Sequence, residues 1–338
     1  MNPFTYSRPE TLSDAIAALL ANPQGQLLAG GTNLVDLMKY DVAKPEALID
    51  INHLPLRNIE DLPDGGMRIG ALASNSAVAY DKRITSRFPL LSSAILAGAS
   101  PQLRNAATTG GNLLQRTRCY YFYDPSTPCN KREPGSGCSA IGGINRTHAV
   151  LGASNKCIAV HPSDMCVALA ALDATVEVEG PDGARQVALA DFHRLPGDTP
   201  EKDNTLAPGE IVTGILLKPN RFESHYTYLK LRDRLSYAFA LVSVAVGMEV
   251  AEGHIVDLRV ALGGVAHKPW RDQRTEAEFS GARADEATFH RVADGLLSGA
   301  TGQGDNDFKI SLARKAIVRA LAQAAGGLPQ NQAIKAIQ

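Results

Sequence analysis

The cysteines of this chain are confined to one short stretch. All five fall between Cys119 and Cys166, although the chain has 338 residues. Disulfide-stabilised folds are short secreted chains whose cysteines are spread along the sequence. A group of thiols inside a longer chain instead favours a local metal or cluster site, around which the intervening segment must fold.

Four of the cysteines form the candidate ligand set: Cys119, Cys129, Cys138 and Cys157. Their spacing differs from the paired C-x-x-C pattern of zinc ribbons and from the cysteine runs of ferredoxins. Four thiolates can still converge on one metal centre if the loop wraps around it. Structural zinc and free structural thiols are the alternatives that the spacing leaves open. Cys166 lies in a predicted amphipathic helix, where we expect a buried core thiol.

The segment around these cysteines, residues 101–160, differs in composition from the rest of the chain. It is rich in Gly, Asn, Thr, Arg and aromatic residues, shows little periodicity, and has seven basic but only two acidic residues. A long segment without regular structure inside a compact domain is usually functional, and the aromatic run from Tyr120 to Tyr123 argues against disorder. The positive excess would offset the negative charge of a cluster held by four thiolates.

The overall composition argues against several classes of protein. The formal net charge is −1, whereas a general nucleic-acid binder needs clustered Lys and Arg. No apolar run approaches the roughly 18–20 residues that span a bilayer. The longest, from Phe239 to Gly247, contains Ser243 and predicts a buried strand. The first residues lack the basic and apolar regions of a signal peptide. We therefore expect no nucleic-acid partner, no membrane span and no export signal on this chain.

The alternation of helical and strand patterns predicts an α+β fold. In the first half, short helices alternate with short strands. From Tyr226 onward the pattern changes to long antiparallel strands followed by two helices. The strands are predicted at 226–232, 239–250 and 254–262, and the helices at about 286–297 and 308–325. We place a domain boundary near Pro219, where a strand ends and the composition changes.

Two diglycine segments are candidate ligand-binding loops. In the first, a strand runs into Gly30-Gly31-Thr32-Asn33 and opens a helix; the second, Ala107 to Asn112, repeats the hydroxyls, paired glycines and Asn. Glycines let the backbone approach a ligand closely, and a helix N-terminus favours an anion such as a pyrophosphate. Together, the two loops predict a binding site for a ligand with two separated polar ends, such as a dinucleotide, which they would contact from both sides. Ordinary Gly-Gly turns are the alternative, and neither loop has the Gly-x-Gly-x-x-Gly pattern of a nicotinamide site.

The sequence His161-Pro162-Ser163-Asp164 precedes a predicted helix. Ser163 or Asp164 can act simply as its N-cap. Asp164 can in addition accept hydrogen bonds from a ligand ring, which makes it a further candidate binding residue.

Four motifs occur in order along the chain: AGGTNLVDLMK, NAATTGGNLLQ, HPSDM and ALGGVAHKPWR. They resemble the FAD-binding (middle) subunit of molybdenum hydroxylases, a family that includes xanthine dehydrogenase, carbon monoxide dehydrogenase and aldehyde oxidoreductases. The segment from Cys119 to Cys157 is similar to the iron–sulfur insertion of the 4Fe-4S-containing flavin subunit of bacterial periplasmic aldehyde oxidoreductase, and YAFALVSVAVGM resembles the same subgroup. The 4-hydroxybenzoyl-CoA reductase flavin subunit also has an inserted cluster.

The resemblance implies a definite architecture. It implies a two-lobed FAD-binding domain of the p-cresol methylhydroxylase/vanillyl-alcohol oxidase type over residues 1–218, with the iron–sulfur insertion at about 116–160. A C-terminal antiparallel sheet with helices would follow over residues 222–330. FAD would lie in the cleft between the two lobes, and the four cysteines would hold the 4Fe-4S cluster.

The resemblance also implies roles for single residues. The FAD pyrophosphate would be held by Leu27, Leu28, Ala29, Gly30, Gly31, Thr32, Asn33 and Leu34. The diphosphate–ribityl region would be bound by Thr108, Gly111 and Asn112, the ribityl or ring edge would meet Asp164, and Lys230 would reach the FAD from the first C-terminal strand. Two departures argue against an NAD-reducing, xanthine dehydrogenase-like role. Gly98 stands where those proteins have an aromatic residue, and residues 239–242 lack their lysine.

By resemblance the chain is an electron-transfer subunit of a heterotrimer. A large partner subunit with a molybdenum cofactor would oxidise an aldehyde, a small partner with 2Fe-2S clusters would relay electrons, and this chain would pass them to an external acceptor. The alternative is a structural docking subunit with a zinc or redox-inert metal site. The complex would be periplasmic through co-export with a partner that has a twin-arginine signal, or cytoplasmic.

Overall fold

Three sheets and thirteen helices organise residues 1–334, the part of the chain that this computed structural model describes. The strands are β1 (Thr5–Ser7), β2 (Gly25–Leu28), β3 (Ala47–Asp50), β4 (Ile59–Asp61), β5 (Met67–Gly70), β6 (Thr175–Gly180), β7 (Gly183–Ala188), β8 (Ile211–Leu217), β9 (Tyr226–Leu231), β10 (Val242–Ala251) and β11 (His254–Gly263). The helices are α1 (Leu12–Ala21), α2 (Leu34–Lys39), α3 (Asn75–Tyr80), α4 (Lys82–Arg87), α5 (Pro89–Ala97), α6 (Pro101–Ala106), α7 (Thr109–Leu113), α8 (Tyr120–Tyr123), α9 (Asp164–Ala171), α10 (Leu189–Phe192), α11 (Gln273–Glu278), α12 (Glu286–Leu296) and α13 (Phe308–Ala325).

The sheets divide the chain into two N-terminal lobes and a C-terminal part. The first lobe has a parallel sheet of order β1-β3-β2. The second has an antiparallel sheet of order β4-β5-β8-β6-β7, and the C-terminal sheet is antiparallel with order β11-β10-β9. The predicted α+β class, with two lobes and a C-terminal antiparallel sheet, is confirmed.

Helices α5 and α9 form a shared layer between the second lobe and the C-terminal sheet. Leu91 of α5 and Val167 of α9 belong to one apolar core with Ile69 of β5 and Ala245 of β10. Because these side chains are buried from both sides, the sheet on each face of the layer is fixed relative to the other. The opposite face of the C-terminal sheet packs on α13, and α12 packs on α13 and adds side chains to the same apolar core.

Local capping explains where the main helices begin. The Thr11 hydroxyl accepts a hydrogen bond from the N–H of Asp14 at 3.1 Å and starts α1. At α9 it is Ser163, not Asp164, that caps, since its hydroxyl accepts from the N–H of Cys166 at 3.0 Å. The Asp164 carboxylate is therefore available for other contacts.

Two expectations about secondary structure need correction. The strand expected from Phe239 begins only at Val242, because the Phe239 ring is 51% exposed and lies 5.3 Å from the Arg118 guanidinium instead of entering the sheet. Residues 101–160 are less irregular than their composition suggested. They include α6, α7 and α8, which are too short for a helical period to be visible in the sequence.

None of the helices within residues 1–334 has the combination of length and apolar character that crossing a membrane requires.

Candidate functional site

A large cavity of about 1290 Å³ opens between the two lobes and the C-terminal sheet. Both glycine loops line it, and so do Asp164 and Lys230. All the candidate FAD-binding residues except Leu28 border this one space. The cavity exceeds the roughly 300–1,000 Å³ of ordinary small-molecule pockets, which suits a ligand as large as a dinucleotide.

The first glycine loop presents a row of free backbone donors. Within residues 1–334, the N–H groups of Gly30, Gly31, Thr32, Asn33 and Leu34 donate no hydrogen bond to the protein. Gly31 has φ +70°, so the chain turns there through the left-handed region that favours glycine. Successive free N–H groups in a tight turn form an anion-binding concavity. The loop therefore fits a phosphate group, and it does so by its own N–H groups more than by the short helix α2.

The second glycine loop differs from the first, contrary to the expected repetition. The N–H groups of Thr109 and Gly110 donate to the carbonyls of Ala73 and Ala71 at 2.9 and 2.8 Å, and the N–H of Gly111 donates to the Thr108 hydroxyl at 3.2 Å. These N–H groups therefore already donate to groups of the protein and are not free for a ligand. The loop can offer a ligand close backbone approach and side-chain groups, but no comparable row of N–H donors.

The two loops touch each other at Gly30. A Cβ atom on Gly30 would lie 1.9 Å from the carbonyl oxygen of Ala106, far inside van der Waals contact. The glycine is therefore required by packing against the second loop as well as by ligand approach. Asn112 ties the second loop to the start of α9, because its Oδ1 accepts from the Ser163 hydroxyl at 2.6 Å.

Asp164 and Lys230, which the sequence places far apart, form a buried ion pair on the cavity wall. Lys230 Nζ donates to Asp164 Oδ2 at 2.7 Å, and the Tyr228 hydroxyl donates to Oδ1 at 2.6 Å. The side chains of Lys230 and Asp164 are only 3% and 10% exposed. Gly98 packs on the same carboxylate, since a Cβ there would lie 2.8 Å from Oδ2. Each carboxylate oxygen can accept one further hydrogen bond from a ligand.

We expect the change Lys230→Met to lower the free energy of unfolding by about 3–5 kcal/mol, because it leaves the Asp164 carboxylate buried without its cation. The double variant Asp164→Asn, Lys230→Met should lose less than the sum of the two single changes. Urea unfolding measures all three. Arg314→Met, which breaks an exposed pair with Asp294, is the control and should cost at most about 1 kcal/mol. An equal loss of unfolding free energy in Lys230→Met and Arg314→Met would show that the buried pair contributes no more to stability than an exposed one.

The four candidate ligand cysteines surround a second, small cavity. Cys129 and Cys138 face each other in an antiparallel bridge, and Cys157 is buried. Burial, together with the neighbouring sulfurs of Cys129 and Cys157, raises the pKa of Cys119 to about 12. Burial likewise raises the pKa of Cys157 to about 11. As free thiols, Cys119 and Cys157 would stay protonated, whereas a bound metal deprotonates its cysteine ligands.

Turn residues between Cys129 and Cys138, here called the cysteine loop, stabilise the positions of these two cysteines. The N–H of Cys129 donates to the Ser136 hydroxyl at 3.0 Å. The Asn130 Oδ1 accepts from the N–H groups of Gly135 and Gly137 at 3.2 and 2.9 Å. Both glycines have positive φ, which explains the Gly-rich composition of the loop.

Cys119 lines both cavities. Thr117 does the same, so these two residues form the partition between the large cavity and the cysteine pocket. No spacing rule could have indicated this, because it depends on how the segment folds against the lobes.

Carboxylates from outside the cysteine segment neutralise much of its positive excess. The pairs are Arg116 and Lys131 with Asp203, Arg118 with Asp36, and Arg146 with Asp233. The expected cationic shell is therefore weaker than the local sequence implied. Lys131, which is 2% exposed, remains the buried cation of the cysteine loop, with Nζ 2.5 Å from Asp203 Oδ1 and 2.6 Å from the Pro200 carbonyl oxygen.

Asp203 should make stability fall at acid pH. Burial opposes its ionisation, but Arg116 and Lys131 outweigh that effect and lower its pKa to about 2. The unfolded pKa is about 3.9, so its contribution of about 2 kcal/mol is present above pH ~4 and is lost as the pH falls through 2. We expect the difference in melting temperature between the wild type and Asp203→Asn to shrink from pH 6 to pH 3. A constant difference would contradict this assignment.

The structure also groups residues that the sequence did not connect. Ligand atoms of His161, Cys166 and His193 lie within 4.8 Å of one another. Cys166 is fully buried, as expected for a core thiol. His193 donates from Nε2 to the Leu113 carbonyl at 2.8 Å, and burial lowers its pKa to about 4. His193 was not a candidate from sequence, because no local motif surrounds it.

Comparisons with known proteins agree with this geometry. The family model "FAD binding domain in molybdopterin dehydrogenase" matches residues 2–219, and "CO dehydrogenase flavoprotein C-terminal domain" matches residues 226–324. The chain is 49% identical to the aldehyde oxidoreductase FAD-binding subunit PaoB of Escherichia coli over 326 residues, 96% of this chain and 99% of that one.

More distant relatives share the same organisation. The carbon monoxide dehydrogenase medium chain of Afipia carboxidovorans is 26% identical over 95% of this chain and 98% of its own. The solved carbon monoxide dehydrogenase from Hydrogenophaga pseudoflava superimposes with a TM-score of 0.76 at 26% identity, covering 96% of this chain and 98% of that chain. The chain therefore belongs to the FAD-binding medium subunits of the molybdenum hydroxylases, a family of oxidoreductases.

Proposed function

We propose that this chain is the FAD- and 4Fe-4S-binding electron-transfer subunit of a heterotrimeric, molybdenum-dependent aldehyde oxidoreductase. One observation carries the proposal: four cysteines surround a single pocket whose wall, at Cys119, is also the wall of the large cavity. Two redox groups bound in these spaces would be neighbours across Cys119. The flavin supplies the change between one- and two-electron chemistry when bound, and the protein binds and orients it.

The residues around the large cavity suit FAD. The free N–H groups of Gly30 to Leu34 suit its pyrophosphate. Thr108, Gly111 and Asn112 border the same space from the other lobe, and the Asp164–Lys230 pair offers hydrogen-bonding capacity at the C-terminal wall. In this assignment residues 1–218 hold the flavin, about 116–160 form the iron–sulfur insertion, and 222–330 complete the cavity.

The cysteine spacing supports a cluster over zinc. Tetrahedral zinc with Zn–S bonds of about 2.3 Å needs sulfurs about 3.8 Å apart. Among residues 1–334, the one group of three or more His, Cys, Asp or Glu ligand atoms that lie within 4.8 Å of one another is His161, Cys166 and His193, so no three of the four pocket sulfurs lie that close together. A cube of four irons needs such a spread. The zinc-bearing docking subunit is thus the weaker alternative.

The aldehyde assignment and the partners rest on similarity. The relative at 49% identity is named an aldehyde oxidoreductase subunit, and we propose the same reaction class, with the molybdenum cofactor on a large partner subunit and 2Fe-2S clusters on a small one. Electrons would leave to an external acceptor. Co-export with a partner that has a twin-arginine signal would make the complex periplasmic; otherwise it is cytoplasmic.

The test is anaerobic purification of the chain together with its partner subunits, followed by metal, sulfide and flavin analysis of the separated chain. We expect about one FAD, four irons and four acid-labile sulfides per chain. Zinc in place of iron would establish the docking alternative. A colourless, iron-free chain would overturn both the cluster and the electron-transfer role.

A further inference from the structure

One histidine contacts the sulfur that separates the two cavities. Nε2 of His148 lies 3.1 Å from Sγ of Cys119, although the two residues are 29 positions apart in sequence. His148 is 2% exposed and also borders the large cavity. Neither the glycine loops nor the cysteine set makes use of it, so it has no role in the function proposed so far.

The chemistry of the pair defines the direction of this hydrogen bond. A thiolate bound to iron has no hydrogen and can only accept. The imidazole must then carry its proton on Nε2 and donate it to Sγ. The other ring nitrogen, Nδ1, makes no hydrogen bond within residues 1–334, so it is available as the unprotonated nitrogen of that tautomer.

The C-terminal part of the chain fixes the backbone of this histidine. The His148 carbonyl accepts from Lys309 Nζ at 2.7 Å and from Asn306 Nδ2 at 3.2 Å. Lys309 is fully buried and also donates to the carbonyls of Thr147 and Gly264. These contacts fix the main chain at His148 to α13 and to the turn before it, and Tyr121 lies against its ring at 6.4 Å between centroids.

We propose that His148 is a positioning residue that raises the reduction potential of the 4Fe-4S cluster by donating an Nε2–H hydrogen bond to the Cys119 thiolate. The proposal rests on the cluster assigned above. Reduction adds negative charge to a cluster, and a hydrogen bond to a ligand sulfur stabilises that charge. The donor acts on the ligand nearest the flavin cavity, where it would favour transfer of an electron from the flavin side to the cluster.

The test compares three variants of the intact complex by redox titration monitored by EPR. His148→Leu removes the donor, and His148→Gln supplies an amide N–H in a similar position. His225→Leu is the control, since His225 is half-buried and its ring donates a hydrogen bond to the Ala324 carbonyl, away from both cavities. We expect about a tenfold lower ratio of reduced to oxidised cluster in His148→Leu at a fixed potential, which is about 59 mV for a one-electron couple. His148→Gln and His225→Leu should stay near the wild type.

Iron and sulfide content separates a failure of the proposed cluster from a failure of the proposed role of His148. Wild-type protein without iron would overturn the cluster and this role with it. Iron-replete His148→Leu with an unchanged midpoint potential would overturn the role of His148 alone. If His148→Leu loses iron, its potential cannot be measured, and pulsed EPR of the wild type labelled with 15N-histidine then tests the hydrogen bond directly. The label must change the nitrogen couplings of the reduced cluster, and unchanged couplings would refute the hydrogen bond.

Discussion

The variant Cys138→Ser should lose its iron–sulfur cluster while it keeps FAD. Cys138 borders the cysteine pocket but not the large cavity. A serine hydroxyl is a much poorer ligand than a thiolate for iron. We expect iron to fall from about four per chain to near zero, with flavin content unchanged. Iron, sulfide and flavin assays on the purified complex measure this.

Cys166→Ala is the matched control for that experiment. Cys166 is fully buried, whereas Cys138 is partly buried, and Cys166 does not border the cysteine pocket. Its loss should leave iron content at the wild-type value. Iron retained in full by Cys138→Ser, or lost equally from both variants, would contradict the proposed ligand set.

The variant Gly30→Ala should bind FAD at least about tenfold more weakly. Its Cβ would lie 1.9 Å from the Ala106 carbonyl oxygen, a backbone atom that no rotamer change can remove. Relief requires the two glycine loops to separate, and overpacking of this kind costs about 1–3 kcal/mol. If that cost falls on the binding-competent arrangement, affinity drops by about 10- to 100-fold. Flavin titration of the flavin-free protein measures the affinity.

Gly326→Ala provides the comparison for the same substitution elsewhere. Gly326 follows α13, has a negative φ, and would place its Cβ no closer than 3.3 Å to the Ala322 carbonyl oxygen. FAD affinity should be unchanged in this variant. Normal FAD affinity in Gly30→Ala would show that the loops do not need to touch for binding.

The sequence was sufficient where the determining contacts are local. The start of α9 was predicted to within one residue, at Ser163 or Asp164, because the capping hydrogen bond reaches only three residues along the chain, and it is Ser163 that makes it. The change from short alternating elements to long strands near Tyr226 was equally visible, because it is a property of consecutive side chains. The confinement of the cysteines to one window is visible in the same way, and the metal or cluster site that it indicates stays a prediction.

Local patterns were misleading where distant groups complete the interaction. The two glycine loops look alike in sequence, yet only the first keeps its N–H groups free, because Ala71 and Ala73 take up donors of the second. The basic excess around the cysteines looked uncompensated, yet Asp36, Asp203 and Asp233 supply the counter-charges from other parts of the chain.

The sequence by itself thus determined the longer elements of this protein, its glycine turns and the set of thiols, since each depends on neighbours along the chain. Only the tertiary structure decided which donors stay free, that Asp164 and Lys230 pair, and that His148 meets Cys119 at the wall between two cavities. These contacts join residues 29 to 66 positions apart. They form only when loops close and cores pack, and that free energy is shared by the whole fold and is not encoded in any one segment.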